Sequence, residues 1–158
     1  MPNIELIPCC GDRNLFLRLA KEYVEELAQY DAEIVWDEAT WRDYMWESVF
    51  IVEDRQIQGF ICATIERFNI FPDALYIGEF FIVPEARQKG IGTEAVKKLI
   101  EMFEWSGDIF LYILHGNFAA RAFWLSIEHE YDWKRINRPE IKEANNCELR
   151  VYQQGYLL

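Results

Sequence analysis

Glu79-Phe80-Phe81-Ile82-Val83-Pro84-Glu85-Ala86-Arg87-Gln88-Lys89-Gly90-Ile91-Gly92-Thr93 is the stretch that decides the fold. An apolar strand ends at a proline, a basic loop follows, and two glycines open a helix. Gly90 and Gly92 let the backbone approach a ligand closely, and the first amides of a helix have no partner within it. With the helix dipole behind them, such donors suit an anion of the pyrophosphate kind. Arg87 and Lys89 add positive charge in a chain whose formal net charge is −11. Solubility does not account for that local reversal.

Outward from this loop the chain shows no internal repeat, low-complexity tract or linker, and its 158 residues suit one domain over 1–158. Upstream, residues 3–8 alternate as a strand. Asp12 can cap a helix to about residue 29, with Leu15, Leu19, Tyr23 and Leu27 on one stripe. A polar, acidic connection over 30–37 leads to a short aromatic-rich helix over 38–46. Strands are expected over 49–53 and 57–67, joined by a turn at 54–56, and over 74–83. Downstream, a helix from 90 to about 104 repeats apolar residues at Ile91, Ala95, Leu99 and Phe103, with Val96 and Ile100 on the flank, and Gly107 is expected to close it. Then follow a buried strand over 109–114, a helix over 117–128 with Ala120, Phe123, Trp124 and Ile127 inward, and strands over about 132–137 and 147–153. The order β-α-α-β-β-β-α-β-α-β-β predicts an α/β (α+β) fold. Its mixed, mostly antiparallel sheet has about six or seven strands, about four flanking helices and a central parallel β-α-β unit.

Other phosphate loops fit less well. The G-x-x-x-x-G-K-[ST] pattern does not occur. Gly90-Ile91-Gly92-Thr93-Glu94-Ala95 formally matches a dinucleotide fingerprint. Yet six residues separate the strand end from Gly90, and the next strand ends at His115-Gly116 without an acid for a ribose.

Composition narrows the classes further. Half the residues are hydrophobic (51%) and 27% are charged, an ordinary globular balance. No apolar run approaches the roughly 20 residues of a membrane span, and the first residues lack the pattern of a signal peptide. A cytoplasmic protein is the expectation. Cys9, Cys10, Cys62 and Cys147 form no C-x-x-C, and His115 and His129 are not at ligand spacing, so reduced cysteines and no metal are expected. The acidic balance argues against nucleic acid. Residues 1–48 carry eleven acids against four bases. Such a field draws a cationic molecule, or simply keeps the surface solvated.

The loop and its surroundings resemble the GNAT superfamily of N-acetyltransferases. Arg87, Gly90 and Gly92 match its [Arg/Gln]-x-x-Gly-x-[Gly/Ala] signature, and Phe80, Ile82 and Pro84 match the preceding apolar-x-apolar-x-Pro strand. Asn117, Ala120 and Phe123 match a second motif, Asn-x-x-Ala-x-x-[Phe/Leu]-Tyr, in which Trp124 takes the tyrosine's place. The resemblance implies acetyl-CoA as cosubstrate, without a metal. Its pyrophosphate would rest on the amides of Gln88, Lys89, Gly90, Ile91, Gly92 and Thr93. Its pantetheine arm would lie along Phe80, Phe81 and Ile82, where the strands of Phe81 and Ile113 would splay, and would touch Asn117. A helix N-cap is the other role open to Asn117. The implied reaction is direct attack of an amine on the thioester, with amides near Ile82 polarising the carbonyl.

Glu79 is the candidate base or acceptor contact, since Glu79-Phe80-Phe81 looks like the acid-Phe-Phe segment of spermidine/spermine acetyltransferases. A solvent-facing or ion-paired strand glutamate is its other reading. Trp124 cannot donate a proton as the family's tyrosine does, so water, Tyr112 or Tyr131 would protonate the thiolate. Tyr30, Asp31, Glu33, Trp36, Trp41, Tyr44 and Trp46 are expected near the acceptor, where aromatic rings and carboxylates suit a cation; core or dimer packing is the alternative for each. The leading expectation is acetylation of a small, cationic primary amine by a monomer or homodimer. A protein amine as acceptor, or a non-catalytic acyl-CoA-binding sensor module, is the alternative.

Overall fold

The computed structural model describes residues 2–155. The elements come in the expected order: β1 (Ile4–Pro8), α1 (Arg13–Leu27), α2 (Glu38–Tyr44), β2 (Ser48–Glu53), β3 (Gln56–Glu66), β4 (Ala74–Ile82), α3 (Ile91–Phe103), β5 (Asp108–Leu114), α4 (Phe118–Glu130), β6 (Lys134–Arg135) and β7 (Cys147–Gln153). The seven strands form one mixed sheet in the order β1-β2-β3-β4-β5-β7-β6. Its parallel pair is β4 with β5, the two strands that α3 connects. The expected fold class is therefore the one observed.

Several boundaries have local causes. Asp54 and Arg55 both take positive φ, 48° and 65°. That is the two-residue hairpin whose twist matches its strands, so β3 restarts at Gln56, directly opposite Glu53. Gly107 does not close α3. Glu104 does, in the left-handed conformation, and the Trp105 amide reaches back to the Ile100 carbonyl at 3.0 Å. The Gly107 carbonyl instead accepts from the Gln154 side chain at 2.9 Å. Likewise α4 outlasts its expected end: the Tyr131 amide bonds Ile127 and that of Trp133 bonds Glu128, each at 3.0 Å, with Asp132 at φ 53°. This closing turn takes residues expected to be strand and leaves β6 two residues long.

The chain divides into two compact units, Met1–Ala63 with Gly78–Trp105, and Thr64–Ile77 with Ser106–Leu158. In the first, Phe16, Leu19, Ala20 and Val24 of α1 bury with Trp41, Met45, Phe50, Phe60 and Phe81. The buried stripe of α1 thus centres one residue beyond the expected one, and Leu15 and Tyr23 sit at its margin. On α3, Ile91, Ala95, Val96, Leu99 and Ile100 bury as expected, while Phe103 is half-buried. In the second unit Ala74, Phe110, Ile141 and Val151 form a core bordered by Phe68, Tyr76 and Tyr112. Arg138, 8% exposed, ties the segment before β4 to this unit. It donates to Asp108 at 3.2 Å, to Glu140 and to the Pro72 carbonyl, and lies over the Phe68 ring. Each buried guanidinium edge is thereby met, as burial of a charge requires.

Candidate active site

The loop after β4 is built from the backbone upward. Pro84 opens a single 3-10 turn, Pro84–Ala86, which buries Ala86. Gln88 then takes φ 62°, uncommon for a residue with a side chain, and Gly90 takes φ 79° at the N-cap of α3. Left-handed backbone on an ordinary residue costs about 1–2 kcal/mol, and such strain clusters where a ligand binds. Asp12 and Asn117 cap α1 and α4 with side-chain oxygens, at 3.2 and 3.1 Å. Gly90 brings no side chain to α3. Of the three longer helices, α3 is thus the one whose first turn is not filled by a capping carboxylate or amide.

Arg87 turns back toward the protein. Its Nε donates to the Ile82 carbonyl at 2.8 Å, its Nη2 to Glu26 of α1 at 2.7 Å, and its guanidinium lies over Phe81. It pins the loop to the end of β4 and to α1. Gln88, Lys89 and Gly90 are exposed, Gly92 and Thr93 half-buried, and the Ile91 side chain is buried. Phe81 and Ile82 are buried too, so strand and loop offer a ligand mainly backbone. Among the amides near Ile82, that of Val83 is committed to the Gln58 carbonyl at 2.8 Å.

Gly59 permits this arrangement. The β2–β3 register shifts so that Ile51 faces Gly59 and Val52 faces Ile57, leaving Gln58 as the extra residue of a bulge. A Cβ on Gly59 would lie 1.8 Å from the Phe81 carbonyl oxygen and 2.8 Å from its carbon. No bonded side chain fits there unless β3 and β4 part. Gly59→Ala is expected to cost about 3 kcal/mol. Urea unfolding checks it, through a lower midpoint at unchanged slope.

Glu79 stands two residues before Phe81 on β4, hence on the same face, the one covered by α1 and α2. Its side chain is half-buried. Burial pushes its carboxyl from 4.5 up to about 7, against a hydrogen bond from Tyr23 that works the other way. The Tyr23 ring is held edge-on to Phe60 and Trp41, with centroids at 5.6 and 5.9 Å, and tilted on Phe81 at 5.6 Å. Burial, with the charges of Glu79, Cys62 and Glu47 next, raises the Tyr44 hydroxyl. Burial also pushes the Cys62 thiol up to about 11. A carboxyl that titrates near neutrality can both take and release a proton at working pH.

Of the residues expected near the acceptor, Tyr44 lies close enough to Glu79 to feel its charge. Trp41 is core, stacked on Trp36 at 6.4 Å and edge-on to Tyr44 at 5.2 Å. Asp31 folds onto its own turn, accepting from the Glu33 amide at 3.0 Å, and Trp46 stands 73% exposed. Sequence reasoning missed Tyr23, which it read as part of a core stripe. A phenol among leucines needs a partner for its hydroxyl, and that was the available signal.

In the other unit Asn117 caps α4, and Trp124 is buried edge-on to Phe123 at 4.9 Å. The Tyr112 hydroxyl donates to the Lys142 carbonyl, and burial raises it above its ordinary range. Among the described residues no helix is long and apolar enough to cross a membrane, and no three His, Cys, Asp or Glu side chains gather as a metal site.

Comparison with known proteins places the chain. The model of the Acetyltransferase (GNAT) family matches residues 15–127. Solved structures share the fold at low identity. An acetyltransferase from Thermus thermophilus superposes with TM-score 0.67 at 15% identity, covering 96% of this chain and 97% of that one. Diaminobutyrate acetyltransferase EctA from Paenibacillus lautus, in complex with L-2,4-diaminobutyric acid and coenzyme A, gives 0.66 at 15%, covering 97% and 95%. A chain of the NatC complex bound to Gag peptide and CoA gives 0.61 at 16%, covering 95% and 96%. No curated protein sequence matches. The family match spans the glycine loop, the strand carrying Glu79 and the Asn117 motif, and the chain is an acetyltransferase of the GNAT family.

Proposed function

We propose that this enzyme moves acetyl from acetyl-CoA to a primary amine of a small cationic molecule, with Glu79 as base. The observation that carries the reading is the placement of Glu79, half-buried on β4 beside Tyr23 and Tyr44 beneath two helices of an acidic segment, where burial pushes its carboxyl up to about 7. Acetyl-CoA supplies an acyl group already activated as a thioester. The loop amides from Gln88 to Thr93 take the pyrophosphate, and the β4 backbone from Phe80 to Ile82 takes the arm. Arg87 serves by fixing the loop, with Lys89 as the exposed cation.

The amine arrives as an ammonium ion, and ionised Glu79 attracts it and removes one proton, directly or through water. The nitrogen lone pair then adds to the carbonyl carbon, the C–S bond breaks, the thiolate leaves with the electron pair, and the proton still in excess on the nitrogen passes through water to that sulfur. Thiols have a pKa near ~8.5, so water suffices to protonate it, and the indole at Trp124 is no obstacle. The diamine bound by the Paenibacillus relative is of the same chemical class. A cytoplasmic setting, in which the four unbridged cysteines stay reduced, completes the reading.

CoA thiol release across amines tests it, with the protein's own cysteines blanked. Diamines and polyamines are expected to release thiol at least tenfold faster than neutral amino acids. A peptide N-terminus as best acceptor would redirect the reading to protein amines. Tight acetyl-CoA binding without release for any amine or peptide would favour the sensor module.

A further inference from the structure

Among the described residues Tyr23 is the phenol whose hydroxyl meets Glu79, and its ring is clamped by three aromatic neighbours from β3, α2 and β4. A ring so held has one place for its oxygen. A carboxylate accepts at four lone-pair positions, and a single fixed donor leaves the others for a substrate. We propose that Tyr23 is a positioning residue, donating from a rigid aromatic seat to Glu79 and orienting the ionised carboxylate toward the acceptor amine. The inference rests on Glu79 being the base.

Other groups around the carboxyl cannot do this work. Tyr44 on α2 is raised by burial and next by Glu79, and Cys62 on β3 is a neutral thiol near pH 7. Glu47 adds a second negative charge near Tyr44 and Cys62. Tyr23 is thus the group beside Glu79 that favours its charged form. Without that bond, desolvation acts unopposed and the carboxyl titrates higher.

Tyr23→Phe keeps the ring and its packing and removes one oxygen. The carboxyl of Glu79 can be titrated by carbon NMR in glutamate-labelled protein, its signal assigned by its absence in Glu79→Gln. In Tyr23→Phe its midpoint is expected to rise from about 7 by about one unit, the size of a hydrogen bond to a charged group. At pH 7 the ionised fraction then falls about fivefold, and the acid limb of kcat/KM moves up by the same amount. An unmoved carboxyl midpoint overturns the proposal. A moved midpoint with an unmoved acid limb upholds Tyr23 as partner of Glu79 and overturns Glu79 as base. Both moving together supports both.

Discussion

Glu79→Gln is expected to lower kcat by roughly 10²–10³-fold while leaving acetyl-CoA affinity within about twofold, because general base help is worth about that much. Glutamine keeps the shape and can still accept from Tyr23, so the loss reports the missing proton acceptor. The wild-type profile should rise through an acid limb near 7, where the buried carboxyl titrates. In the variant that limb should disappear. Stability should move the other way. A carboxyl raised from 4.5 to about 7 holds its proton more tightly in the folded chain than in the unfolded one. Between those values the unfolded chain loses protons first, so folding weakens as pH rises and the full cost is present above 7. That cost is about 2–3 kcal/mol once partial exposure is discounted. Glu79→Gln should therefore be more stable than wild type by that amount at pH 8, with the gain fading toward pH 4.5. Urea midpoints at the two pH values measure it. A variant less stable at pH 8 would mean that Glu79 is a structural contact.

The parts of the molecule that could be read from sequence are those governed by period and by punctuation. Pro84 ends β4 because it lacks a ladder donor, and Gly90 opens α3 because φ 79° suits glycine. The four-residue spacing of Ile91, Ala95 and Leu99 named the buried face of α3 correctly. Helix ends were less legible. Glu104 and Asp132 adopt left-handed backbone without being glycine, driven by amides that reach back five residues, and composition carries no trace of that. The proton site was half legible. Glu79 stood out as an acid within an apolar strand, but its environment depends on which helix face covers β4. Tyr23 reaches it from 56 positions away in sequence, a proximity that only the folded sheet creates. Arg87 reads in the sequence as positive charge for the cosubstrate loop, and its contacts with Ile82 and Glu26 arise from the way the loop folds back.

Gly92 separates binding from folding more cleanly than Gly90 does. Any side chain at Gly90 meets a left-handed backbone, so a loss there could come from a distorted loop. Gly92 is the second residue of α3, where helical backbone accepts ordinary side chains. A glycine in that position costs a helix about 0.5–1 kcal/mol relative to alanine. On the proposed function, that cost is tolerated because a phosphate must come within contact distance of the backbone. Gly92→Leu, a good helix former, should leave the melting temperature without cofactor unchanged or raised. It should weaken acetyl-CoA binding by about a hundredfold or more. Ligand at a hundred times the wild-type Kd stabilises the wild type by about 2.7 kcal/mol, and a hundredfold weaker variant by about 0.4 kcal/mol. Thermal shift with and without acetyl-CoA reads the difference directly. Unchanged affinity in Gly92→Leu would remove the phosphate from this loop. Glu79→Gln should keep the full shift while losing turnover, so the two variants together divide the loop that holds the cosubstrate from the carboxylate that works on the amine.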